Sequence, residues 1–92
     1  MDGAVRNNRD AQRYELAVGG ELAIAAYRLE NGRVAFTHTA VPTALGGQGV
    51  GSRLVQGALA DVRASGLKVL PLCSFVASYI ERHPEERDLV AE

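Results

Sequence analysis

The chain has 92 residues, 47% of them apolar, and ten basic residues against eleven acidic ones give a net charge of −1. That length accommodates one domain with a modest core, and the apolar share is too high for a disordered chain. The balanced charge argues against a strongly basic nucleic-acid binder and offers no broad attraction to an anionic membrane.

The longest apolar run, Leu22 to Tyr27, is far short of a bilayer span. Met1 to Asp10 has no apolar signal core, so the expected location is cytoplasmic. Cys73 is the single cysteine, which rules out an internal disulfide. With two distant histidines it makes no zinc-finger spacing, and no metal is expected.

In chain order, residues 1–12 are polar and read as a flexible tail, with a single domain over 13–92. Arg13 to Val18 alternates as a strand and Gly19-Gly20 turns it. Glu21 to Glu30 is a second strand, apolar on both faces, which predicts burial on both sides. Asn31-Gly32 is the strongest two-residue hairpin signal. Arg33 to Val41 returns, with Val34, Phe36, His38 and Ala40 predicted on one face, and Pro42 stops it.

Four of the ten glycines fall within Gly46-Gly47-Gln48-Gly49-Val50-Gly51. A helix follows, with Val50, Leu54, Val55, Ala58, Leu59 and Val62 at helical spacing and Gly66 as a left-handed cap. Leu67 to Cys73 is a short strand whose pairing fails at Pro71. Ser74 is the expected cap of a last helix, Phe75 to His83, which carries an apolar stripe of Phe75, Val76, Tyr79 and Ile80. Pro84 follows, and Leu89 and Val90 can dock. The order is β-β-β-α-β-α, an α/β sandwich with antiparallel hairpins followed by one βαβ crossover.

Glycines at a helix start suit an anion. The first amides have no helical acceptor, the dipole favours negative charge, and glycine permits close approach and positive φ. A tight loop with no ligand is the plain alternative. The P-loop ending fails, because Gly51 is followed by Ser52-Arg53. G-x-G-x-x-G fails too, because Leu54 stands at its last position.

The segment Gly47-Gln48-Gly49-Val50-Gly51-Ser52-Arg53-Leu54 resembles the pyrophosphate loop of the GCN5-related N-acetyltransferases, which use acetyl-CoA. It is most similar to their smallest single-domain branch. His38-Thr39-Ala40-Val41-Pro42, Pro71-Leu72-Cys73-Ser74-Phe75, Tyr79 and His83-Pro84 match further motifs of that branch, and the likeness runs from Tyr14 to Val90. Three positions depart from the pattern. Gly46 stands where the loop usually opens with Gln or Arg, Ala40 where the branch usually has Glu, and Ser74 in place of a Pro.

The resemblance implies direct attack of an amine on the acetyl-CoA thioester. It places the cofactor on Val41, Gly46, Gly47, Gln48, Gly49, Val50, Gly51, Ser52 and Arg53, with a backbone N–H near Val41 facing the carbonyl oxygen. Pro71 marks where the strands could part to admit the pantetheine arm. Cys73, at a helix start, is a candidate nucleophile or proton donor, or else a small buried hydrophobe. Tyr79 is a candidate acid for the departing thiolate, or a core residue. His38 is a candidate base, or a buried structural histidine. His83 is explained by capping and the helix dipole.

Three functions stay open: an N-acetyltransferase with an unidentified amine acceptor, a CoA-binding module with little transfer, or an interaction domain. A monomer or weak homodimer is expected.

Overall fold

The computed structural model describes residues 3–91. Its elements are β1 (Arg6–Asn8), β2 (Arg13–Val18), β3 (Glu21–Glu30), β4 (Arg33–Ala40), α1 (Val50–Ala64), β5 (Lys68–Pro71) and α2 (Ser74–Arg82). Short 3-10 segments cover Thr43–Leu45 and Pro84–Leu89. The five strands form one sheet in sequence order. The first four pair antiparallel, and β5 joins β4 in parallel after the α1 crossover.

Turn chemistry fixes the register. Asn31 and Gly32 both have positive φ, 54° and 75°, as a two-residue hairpin between right-twisted strands requires. At the end of α1, Gly66 at φ 73° lets the Leu67 amide donate to the Val62 carbonyl at 3.2 Å.

The core lies on one side of the sheet. Leu54, Val55, Ala58, Leu59 and Val62 of α1 meet Tyr14, Leu16, Ala23, Ala25 and Phe36. Val76, Tyr79 and Ile80 of α2 enter the same cluster with Leu89, so both helices cover one face. Leu54 and Leu59 are fully buried, and truncating either to Ala costs about 2–5 kcal/mol. Val90 adds an isolated parallel bridge to Val69, which docks the C-terminal segment as its apolar pair predicts.

Three expectations are corrected. The N-terminal segment is not an unpaired tail, because Arg6–Asn8 forms a strand along β2. Polar contacts hold it there, together with Val5, which packs against the core. Arg6, Asn8 and Arg13 all donate to the Glu15 carboxylate, at 2.9, 3.0 and 2.7 Å, and Tyr27 donates its hydroxyl to Asn7 at 2.6 Å. A Cβ at Gly57 of α1 would lie 2.6 Å from Val5 Cβ, so this segment also passes close over the helix.

The central strand is not buried on both sides. Leu22 is 41% exposed and Ile24 and Ala26 are half-buried, because both helices pack on the other face. Finally, β4 does not alternate evenly. Tyr27 pairs with Phe36 but Ala26 pairs with His38, so Thr37 is an extra residue, a β-bulge. Beyond it the side chains change phase, and Thr39 rather than His38 shares the helix-covered face.

Candidate functional site

Pairing between β4 and β5 ends at Phe36–Pro71. The Cys73 amide still donates to the Phe36 carbonyl at 2.9 Å, after which the two chains diverge. Beyond their C-terminal ends lies a cleft of about 310 Å³. Val41, Gly47, Gly49, Gly51, Phe75 and Arg82 contribute to its walls.

The loop reaches α1 through two left-handed glycines, Gly47 at φ 79° and Gly49 at φ 70°. Gly49 is the residue before the helix. It supplies no side-chain cap, and the first turn holds no acidic side chain. The amides of Val50, Gly51 and Ser52 therefore start a fifteen-residue helix with no acceptor inside it and no carboxylate in competition. The amides of Gly46 and Gln48 are already engaged, donating to Thr43 and Leu45 carbonyls at 3.0 and 3.4 Å. Those two residues shape the loop by their own hydrogen bonds.

Gly51 has a second duty. A Cβ there would lie 2.6 Å from Phe75 Cζ, so the first turn of α1 and the start of α2 touch through a glycine and a ring. Phe75 is 37% exposed and forms an apolar wall beside the loop amides.

Cys73, not Ser74, stands at the N-cap position of α2; it is extended, at φ −81° and ψ 130°, and its side chain makes no capping hydrogen bond. Ser74 is the first helical residue. The thiol is half-buried, 3.3 Å from Thr39 Oγ1. Partial burial pushes the thiol up, but the Thr39 hydroxyl and the backbone amides of Val76 and Phe75 favour the thiolate, and the balance lowers its pKa. Cys73 and Thr39 stand two residues from Phe75 and Val41, both of which line the cleft.

The other predicted residues fall elsewhere. His38 is exposed on the opposite sheet face, since the bulge puts Thr39 toward Cys73 and its neighbour away. It is thus not the buried histidine of the plain reading, and the structure does not bring it to the cleft. Tyr79 is buried and stacked on His83 with ring centroids 3.9 Å apart. Burial, then the carboxylates of Glu86 and Glu85, raise its pKa. His83 Nδ1 lies 2.8 Å from the Tyr79 carbonyl oxygen, which accounts for its place at the helix end. Arg53 is half-buried on α1, outside the cleft lining.

Sequence reasoning passed over Arg82 and Thr39. Arg82 lies seven residues after Phe75, two helical turns on the same face, a spacing that gains meaning only once Phe75 is placed beside the loop.

No helix among the described residues is long and apolar enough to cross a membrane. The family model described as GCN5-related N-acetyltransferase matches residues 13–89. Among solved structures, the chain is similar to the solution structure of a GCN5-like candidate N-acetyltransferase from Staphylococcus aureus. The TM-score is 0.73 and the identity 27%, over 95% of this chain and 86% of that one. No curated protein matches.

Proposed function

This chain belongs to the GCN5-related N-acetyltransferase family, and from that premise we propose that it binds acetyl-CoA along the glycine loop and transfers the acetyl group to an amine. The observation that carries this reading is the uncapped, glycine-built start of α1 opening on a cleft walled by Val41 and Phe75. The residues present fit the ligand. Gly49 has open space where a Cβ would stand, and the first-turn amides are left for an anion.

Bound acetyl-CoA supplies a thioester carbon. The amine nitrogen bonds to it, the carbon–sulfur bond breaks, the amine loses a proton and the CoA thiolate gains one. On the protein side, Val50, Gly51 and Ser52 would hold phosphate oxygens by their amides, with the Val41 backbone nearest the acyl end. Cys73, with its thiol beside Thr39, is the reactive group two residues from the Phe75 wall. In this reading it contacts the acyl end and tunes it, without becoming acetylated.

A second reading is a CoA-binding module with little transfer, and one observation favours it. None of the described residues lining the cleft is a carboxylate or an imidazole, and Ala40 offers none beside them. Transfer would then depend on an amine that arrives neutral.

Calorimetric titration with acetyl-CoA and CoA, followed by a thiol-release assay over a panel of amines, tests both. Micromolar affinity, about −8 kcal/mol, together with amine-dependent thiol release supports the transferase. Binding without release selects the module. No heat up to millimolar ligand removes both.

A further inference from the structure

The cleft at the glycine loop holds one charge that the loop does not explain. Its other lining residues are apolar, glycine or serine, and Arg82 is the single charged one. It comes from the far end of α2, about 10 Å along the axis from Phe75 at 1.5 Å per residue. The two share a helix face, and the Phe75 ring fixes the near end of that face on Gly51. The guanidinium is exposed and forms no ion pair with any described residue, whereas Arg6, Arg13, Arg28 and Arg63 are each paired. Glu81 stands beside it on α2, along a separate shallow depression that it shares with Ser78 and Arg82.

We propose that Arg82 is the cationic ligand of the cofactor's diphosphate, closing the cleft opposite the α1 amides. This rests on the acetyl-CoA reading above. The physical need is clear: a diphosphate carries two full negative charges, while a helix start offers only about half a positive charge. A guanidinium supplies a whole charge and a bidentate fork that matches two phosphate oxygens. Because Arg82 lines the same cleft as Val50, Gly51 and Ser52, it meets the group those amides would hold rather than a remote phosphate.

The test compares the intact protein with Arg82→Ala, Arg82→Lys and Arg87→Ala by calorimetry. The ligands are acetyl-CoA and 3′-dephospho-acetyl-CoA, at two salt concentrations. Arg87 is an exposed arginine lining a different cleft, with Arg33 and Lys68 at the N-terminal ends of β4 and β5.

Arg82→Ala is expected to weaken both ligands by the same factor, about ten- to a hundredfold, and to flatten the salt dependence. Arg82→Lys should recover part of the loss, and Arg87→Ala should change nothing. Equal affinity of Arg82→Ala and the parent overturns the proposal. So does a loss confined to acetyl-CoA, which would assign the charge to the 3′-phosphate. An equal loss in Arg87→Ala would reduce the effect to general charge and overturns it as well. Failure of the parent protein to bind refutes the acetyl-CoA reading, and this proposal with it. The parent titration therefore judges one claim and the variant ratio the other.

Discussion

The two helices begin within touching distance of each other and present their first-turn amides to different neighbours. α1 starts on Gly49, left-handed and without a side chain, and spends none of its first-turn polarity internally. α2 starts on Cys73, extended and likewise without a side-chain capping hydrogen bond, but its thiol lies beside Thr39 and the nearby amides of Phe75 and Val76 favour its thiolate. A helix start with no side chain beside it invites a visiting anion; one with a thiol nearby favours that thiol's ionised form. In the proposed reading the same backbone physics serves a binding end and a reactive end, joined where Phe75 meets Gly51.

The most severe way to erase the difference is to put a charge on the empty start. Gly49→Glu is expected to weaken acetyl-CoA more than about a hundredfold in calorimetry, since juxtaposed like charges cost several kcal/mol. It also forces a non-glycine residue to φ 70°, a strain of about 1–2 kcal/mol. Gly49→Asn separates the two effects, because Asn visits that conformation and brings no charge. Its binding should stay within about tenfold of the parent. Strong binding by Gly49→Glu would refute the loop assignment.

A milder change pries the two starts apart. In Gly51→Ala the new methyl displaces the Phe75 ring, whose far end is free to swing. Thermal stability should shift by less than about 1 kcal/mol, because alanine favours the helix while the ring loses contact. Affinity should fall severalfold as the apolar wall moves. Unchanged affinity would show that Phe75 is no part of the site.

The smallest effect is expected from Thr39→Val, which takes a hydroxyl from the start of α2 and leaves the start of α1 untouched. The Cys73 pKa is lowered in the parent, so the thiolate persists to lower pH than in an ordinary cysteine. The pH midpoint of alkylation by iodoacetamide should therefore rise in the variant, with acetyl-CoA affinity unchanged. A midpoint that stays put would mean that the helix amides alone set the thiol.

Much of this was legible in the residues. Alternation and turn glycines marked β2, β3 and β4, and helical spacing with Gly66 marked α1, each to within a residue or so. The glycine cluster pointed to the empty helix start. What escaped had no local signal. β1 reads Arg-Asn-Asn, with no apolar period, and becomes intelligible only as two donors to the Glu15 carboxylate and one acceptor for the Tyr27 hydroxyl. The bulge at Thr37 leaves no mark in composition, yet it reverses the face of His38. Arg82 reads as an ordinary solvated arginine until the fold carries it to a loop more than thirty residues earlier in the chain.

The Glu15 cluster has a consequence for the sheet as a whole. Hydrogen bonds from Arg13, Asn8 and Arg6 outweigh its partial burial and hold the carboxyl at about 2, against an ordinary 4.5. Much of what shields it from water is the same side chains that bond it. A carboxyl depressed in this way contributes stability above pH 4.5 and surrenders it as the pH falls toward 2. It therefore works as an acid-rated latch on the outermost strand, closed through all mildly acidic conditions. Strong acid would take this part of the hold on β1 away and leave the β1–β2 ladder and the Tyr27–Asn7 bond to guard a row of β2 amides and carbonyls that could otherwise recruit another chain.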